Sequence, residues 1–239
     1  MDAFTVTSFN TRWGRTVDDA PFDLARTLAA FDSDVICLQE VWEPADGSGP
    51  LGAVATDLGY RLVKAPLAAS FVIPRPEITE HPGQAAGTWG VALLSRLDVR
   101  RVRIVDLGRL FERWDVATRL AILADVQAGP AAVTIAAHHL SFALPNAITQ
   151  LRRLGGYLPS HQPSVVAGDC NLWGPVAVRA LGRHRRAVRG RTWPAHRPHS
   201  QLDHLLVSPS LQVLDSAVLA PAGSDHLPVQ ATLALTAPP

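Results

Sequence analysis

Lysine, cysteine, methionine and tyrosine are all scarce in this chain. Of its 22 basic residues only Lys64 is a lysine, and the rest are arginine. So uniform a preference reads mainly as codon bias, since alanine and arginine enrichment tend to go together. Only a few arginines are left for phosphate recognition to explain. The two cysteines, Cys37 and Cys170, lie inside the apolar runs DVICL and VVAGDC. That excludes a disulfide-rich scaffold and a paired-cysteine zinc module, and it predicts two buried thiols in a reducing compartment. No apolar run approaches the ~18 residues of a transmembrane helix. The opening MDAFTVTSFN has neither a basic n-region nor an apolar h-region, so a soluble, cytoplasmic protein without a signal peptide is expected. Net charge is also small: 22 basic against 21 acidic residues gives +1. The protein is therefore not a polycation, and any affinity for nucleic acid must come from local charge. No repeat, low-complexity tract or Ser/Gly linker marks a boundary, so a single domain over residues 1–239 is expected.

What is present is a core-forming composition, 47% hydrophobic and 18% charged over 239 residues. Strand-like runs recur at Phe4–Phe9, Val35–Leu38, Tyr60–Val63, Val91–Leu94, Val99–Leu107, Leu120–Val126, Ala132–Ala137, Ser164–Ala167, Leu202–Val207, Gln212–Leu219 and Val229–Leu235. Several are apolar without alternation, as strands covered on both faces should be. Helices are predicted after Asp18-Asp19-Ala20-Pro21, over about Leu51–Leu58 with Gly59 as a stop, over about Asn146–Leu158, and after Pro175. The mixed order suggests two packed sheets with helices outside. Ala65–Thr88, with four prolines and no clear period, reads as a long surface loop.

The chemistry-bearing residues fall just after apolar runs: Asn10 in SFN, Glu40 in LQE, His138-His139 in AAHHL, Asp169 and Asn171 in GDCN, Asp203 in LDH, and Asp225-His226 in SDH. Polar groups at strand ends cluster at one edge of a sheet. Carboxylates and amides without a cysteine pair form a hard, oxygen-rich donor set, suited to Mg²⁺ or Mn²⁺ and not to Zn²⁺.

These residues resemble the endonuclease/exonuclease/phosphatase superfamily. SFN, LQEVW, WGVALLSR, HHLS, GDCN, LDHLLVS and SDHLP occur in that family's order from Asn10 to His226. The resemblance implies an α+β fold, a four-layer α/β/β/α sandwich, and a Mg²⁺- or Mn²⁺-dependent hydrolase acting on phosphoesters. It implies Glu40 as principal metal ligand, Asn10 as its partner and Asp225 as a second metal-side carboxylate. It also implies His139 and His226 at the phosphate, Asp169 positioning or activating water, Asn171 holding that water, and Asp203 orienting His226. His138 and His204 are expected to be structural. One departure is Arg12, which stands two residues after Asn10 where one branch carries an aspartate.

The resemblance leaves the substrate open. The stretch Pro175–Leu202 contains no acidic residue but carries Arg179, Arg183, Arg185, Arg186, Arg189, Arg191 and Arg197. A basic flank beside GDCN suits a polyanion, so DNA or RNA is the leading substrate expectation, with Arg185 and Arg186 on its backbone. Arg119 is a further phosphate candidate, and Trp173 and Trp193 are candidate cleft walls. The alternative is a lipid-headgroup or small-molecule phosphoester, with the 65–88 segment as a specificity wall. A non-catalytic binding module is a third reading. Nothing in the sequence calls for an obligate protein partner.

Overall fold

A computed structural model describes residues 3–69, 87–111, 115 and 117–236. The first sheet comprises β1 (Phe4–Asn10), β2 (Val35–Pro44), β3 (Arg61–Ala69), β4 (Gly87–Ser95), β11 (Leu211–Val218) and β12 (Val229–Leu235). The second comprises β5 (Val99–Asp106), β6 (Leu120–Ala128), β7 (Ala131–His139), β8 (Ser164–Asp169), β9 (Arg185–Arg186) and β10 (Asp203–Val207). Their spatial orders are β11-β12-β1-β2-β4-β3 and β5-β6-β7-β8-β10-β9. Each sheet has one parallel pair near its centre, β1 with β2 and β7 with β8.

Helices α1 (Leu24–Phe31) and α2 (Leu51–Asp57) cover the outer face of the first sheet, and α3 (Leu144–Tyr157) and α4 (Gly174–Leu181) cover the second. The layering follows from residue parity. In β2, Val35 and Cys37 face the other sheet, while Ile36 and Leu38 face α1 and α2. In β8, Val165 and Ala167 face inward and Val166 faces α3 and α4. Both faces are dry, so these runs read as continuous apolar stretches. The four layers are those of the expected α/β/β/α sandwich.

The boundaries differ in four places. Helix α1 begins after Asp23, whose carboxylate accepts the Arg26 N–H at 2.9 Å; Pro21 precedes the helix, in a bridge with Arg15. β3 continues to Ala69 and β4 begins at Gly87, so part of the expected 65–88 loop is a strand pair; 70–86 lies outside the described residues. β2 runs on through Glu40 to Pro44, past a register shift opposite β4. The two-residue β9, within the basic stretch, has no apolar signal to announce it. Cys37 and Cys170 are both free thiols and both buried, on different faces.

Phe9 is fully buried, its ring 5.5 Å from Phe31 and 6.2 Å from Phe22. Phe9→Ala empties the joint between β1 and α1. It is expected to cost about 3–5 kcal/mol of stability, read as a lowered midpoint in chemical denaturation with an unchanged slope.

Candidate active site

The parity that builds the core also builds the site. Val6 on β1 faces the other sheet, so Ser8 and Asn10 do as well; Ala137 on β7 does, so His139 does too. Asp169 and Asp203 continue the inward rows of β8 and β10 in the same way. Register aligns these ends: His139 pairs with Asp169, and Asp169 with Asp203. The inner layer therefore ends in polar side chains on both sheets, at the edge where the two meet.

Glu40 comes into this row by a bulge. Its backbone is left-handed (φ 51°) where the register slips between Leu38 and Val41. Bulges re-aim a side chain in this way. Thr11 fixes the bulge: its hydroxyl donates to the Gln39 and Glu40 carbonyls at 3.0 and 2.9 Å. Asn10 then ties the sheets together, its amide nitrogen donating to Glu40 Oε1 and to Asp169 Oδ2, both at 3.2 Å.

Asp169 is the hub. Its Oδ2 lies 3.6 Å from His139 Nε2 and 3.8 Å from His226 Nε2. Its Oδ1 accepts the Asn171 N–H at 2.8 Å. Asn171 is itself left-handed (φ 49°), a conformation asparagine tolerates, and its amide donates to the Leu140 carbonyl at 3.0 Å. Gly168 is required just before, because a Cβ there would lie 2.1 Å from the His138 carbonyl oxygen.

His226 Nδ1 is 2.9 Å from Asp203 Oδ2. Burial opposes its charge, but Asp203 and Asp169 outweigh burial and raise its pKa to about 10. The imidazole is therefore held as imidazolium. Asp169 moves up to about 7, through burial first and the Asp203 charge after it. Burial also raises Glu40. His139 is pushed down by burial and by Arg119, and so is neutral. Asp203 Oδ1 is buried with no hydrogen-bond partner among the described residues.

The outer residues divide. Arg119 is buried, paired with Asp115 at 2.9 Å, and lies over the Trp89 ring, which meets His139 edge-on with centroids 5.7 Å apart. The Arg119 Nη1 has no hydrogen-bond partner among the described residues. Trp173 caps the start of α4 and is 58% exposed, on the rim beyond Asn171. Trp193 donates Nε1–H to Asp225 Oδ2 at 3.3 Å, and its ring lies 6.4 Å from that of His226.

Arg185 and Arg186 are not gathered in with these. Arg185 pairs with Val207, four residues along β10 from Asp203, and donates to the Leu211 carbonyl at 2.9 Å. Arg186 donates to Gln201 Oε1 at 3.1 Å and packs on Gly174. His204 Nε2 is 2.9 Å from the Leu172 carbonyl oxygen, and His138 packs against Cys170, both away from the cleft. One contributor was not singled out by its sequence context: Thr192 accepts the Leu202 and Asp203 N–H groups at 3.1 and 3.2 Å. Arg12, noted in the sequence as a departure, approaches Asp225 at 4.0 Å.

A model of the Endonuclease/Exonuclease/phosphatase family matches residues 7–226. No curated protein matches the chain in sequence. Among solved structures, an endonuclease/exonuclease/phosphatase from Beutenbergia cavernae is similar with TM-score 0.79 at 22% identity, over 98% of this chain and 72% of that one. The human Nocturnin catalytic domain gives TM-score 0.72 at 18% identity, over 98% and 95% of the two chains. A mannosyl-6-phosphatase from Bacteroides thetaiotaomicron gives 0.65 at 17%, over 97% and 100%. At these identities the structures carry the fold, while the family model spans Thr7 to His226 and so includes every strand end that forms the site. The chain belongs to the endonuclease/exonuclease/phosphatase family.

Proposed function

We propose that this protein hydrolyses phosphodiester bonds at the Asn10–Glu40–His139–Asp169–Asn171–Asp203–His226 site, with a divalent metal ion. Members of the family are phosphoester hydrolases and generally depend on such an ion. The observation that carries the reading is the Asp169–His226–Asp203 row, a buried carboxylate poised beside an imidazolium.

The donor set fits a hard cation. Three carboxylates, Glu40, Asp169 and Asp203, crowd a buried edge, and burial raises both Glu40 and Asp169. Asp169, Asp203 and His226 each offer a ligand atom within 4.8 Å of one another. His226, however, is bonded to Asp203 and held protonated, and an imidazolium has no lone pair for a metal. Glu40, with Asn10 fixing it, is the better holder of Mg²⁺ or Mn²⁺. Bound there, the ion would neutralise charge that grows on the phosphoryl oxygens.

The chain's own groups take the remaining roles. His226, oriented by Asp203, donates a hydrogen bond to a phosphoryl oxygen and offsets its charge. Neutral His139 and the Asn171 amide add donors on the other side. Asp169 is the base that takes the proton from the attacking water, because His226 is already charged. Microscopic asymmetry of this kind, with one carboxylate raised and one imidazole held charged, separates base from phosphate-binding group.

Nucleic acid is the leading substrate class, supported by the acid-free stretch 175–202, which follows Trp173 and contains Trp193. Arg179, Arg183, Arg185, Arg189, Arg191 and Arg197 are exposed there. The fold alone does not choose, since Nocturnin and a mannosyl-6-phosphatase share it. Labelled single- and double-stranded DNA and RNA, incubated with Mg²⁺ or Mn²⁺ and with EDTA, should be cut only with metal and not by Asp169→Ala. Binding should also weaken steeply with salt. Absence of cleavage by folded, metal-loaded protein would move the assignment to a lipid-headgroup or small-molecule phosphoester.

A further inference from the structure

The segment after Asn10 is strained at two successive positions. Arg12 and Trp13 both have left-handed backbones (φ 43° and 57°), and neither is glycine. Side chains with a Cβ disfavour this conformation. The Arg12 N–H donates to Asn10 Oδ1 at 3.0 Å, which sets the residue at the edge of the site. Its Nη1 donates to the Thr16 carbonyl, its guanidinium carbon lies 5.9 Å from the Trp13 ring centroid, and its Nε is 4.0 Å from Asp225 Oδ1. A partly exposed ion pair at that distance contributes little by itself. Left-handed residues of this kind concentrate at functional positions.

Asp225 is engaged on both oxygens by protein donors. Oδ2 accepts from Trp193 Nε1 at 3.3 Å, and Oδ1 accepts from the Ser224 hydroxyl at 3.3 Å and faces Arg12. It also lies outside the cluster of Asp169, Asp203 and His226. Glu40, by contrast, accepts from the Asn10 amide alone among the hydrogen bonds described. A carboxylate neutralised by a guanidinium and tied to an indole is a scaffold for those two groups. Both groups border the site: the Trp193 ring lies 6.4 Å from that of His226, and the Arg12 N–H donates to Asn10 Oδ1 at 3.0 Å.

We propose that Arg12 is an anion-recognition residue of this site, set in place by Asp225, and that Asp225 serves Arg12 and Trp193 instead of a metal ion. The inference rests on the phosphoesterase reading above and deepens it. Arg12 supplies a permanent positive charge beside Asp225. The substrate it fits carries negative charge on or next to the scissile phosphate, and one resident divalent ion, at Glu40, completes the site. Arg12 has side-chain exposure of 24%, enough for one edge of the guanidinium to meet a phosphate oxygen.

Calorimetry with Mn²⁺ alone, and then with inorganic phosphate at saturating Mn²⁺, tests this on the full chain. The wild type should bind one Mn²⁺. Asp225→Asn should keep that stoichiometry, with affinity within about threefold, whereas Glu40→Gln should lose the ion. Arg12→Gln should weaken phosphate at least about 10-fold without changing Mn²⁺, and Arg12→Lys should recover part of the loss because it keeps the charge. Loss of a bound ion in Asp225→Asn, two ions in the wild type, or phosphate affinity indifferent to Arg12→Gln would each overturn the proposal. Failure of the wild type to bind Mn²⁺ at all would instead remove the phosphoesterase reading beneath it. If Arg12→Gln does not fold, the Asp225→Asn stoichiometry and the Arg12→Lys phosphate affinity still decide the matter.

Discussion

Asp169→Asn is expected to lower kcat on a bare phosphodiester such as bis-p-nitrophenyl phosphate by at least about 10³-fold, with the fold intact. The substitution keeps the size of the side chain and its hydrogen bond from the Asn171 N–H, but it removes the oxygen that can accept a proton. It also reverses the contact with Asn10, whose amide nitrogen now donates to Asp169 Oδ2 at 3.2 Å. Stability should not fall in step. Burial and the neighbouring carboxylate raise Asp169 from 3.8 to about 7, so ionising it weakens the native state as pH rises between those values. Near pH 8 the neutral amide should therefore unfold no earlier than the wild type in a thermal melt of metal-free protein. A variant that kept turnover within tenfold would remove Asp169 from the chemistry.

His226→Ala carries the second large effect, about 10²–10⁴-fold in kcat, for loss of a charged donor at the phosphoryl oxygen. Asp203→Asn acts through the same imidazole, by removing the carboxylate 2.9 Å from Nδ1. The two are one unit, so the double variant should be little slower than His226→Ala alone. Additive losses would mean that Asp203 acts independently. The pair also sets a pH signature in the metal-free protein. His226 is raised from 6.5 to about 10, so its contribution to stability is complete below pH 6.5 and is lost as pH climbs through about 10. Unfolding free energy should fall between neutral pH and pH 10 in the wild type, and this fall should be smaller in His226→Ala. The Asp169 transition is centred near pH 7, so the comparison is read above about pH 8, where Asp169 is already ionised.

The fold was legible because its layers are written as parity and apolar continuity. Val35 to Leu38 and Val165 to Ala167 are apolar at every position because both faces of each strand are covered. The site residues were legible as types, since polar groups at the ends of such strands have few structural reasons to be there. Their arrangement was less so. Glu40 reaches the inner row only through a left-handed bulge, and no local signal in LQEVW specifies one. Arg185 and Arg186 add a related point: a run of arginines gives no sign that the Leu211 carbonyl and Gln201 Oε1, both distant in sequence, accept hydrogen bonds from these two. The Arg12–Asp225 contact joins positions 213 residues apart by their numbering, so neither partner gives notice of the other. Local pattern fixes elements and chemistry, whereas pairing between loops is decided by tertiary geometry.

The most direct test of the account is turnover of a bare phosphodiester against added Mg²⁺ or Mn²⁺, with EDTA as control, in wild type and Glu40→Gln. Activity should vanish in EDTA, return on metal addition, and require far more metal in Glu40→Gln. Turnover that persists in EDTA and is unchanged in Glu40→Gln would contradict a metal-dependent phosphoesterase built on this site.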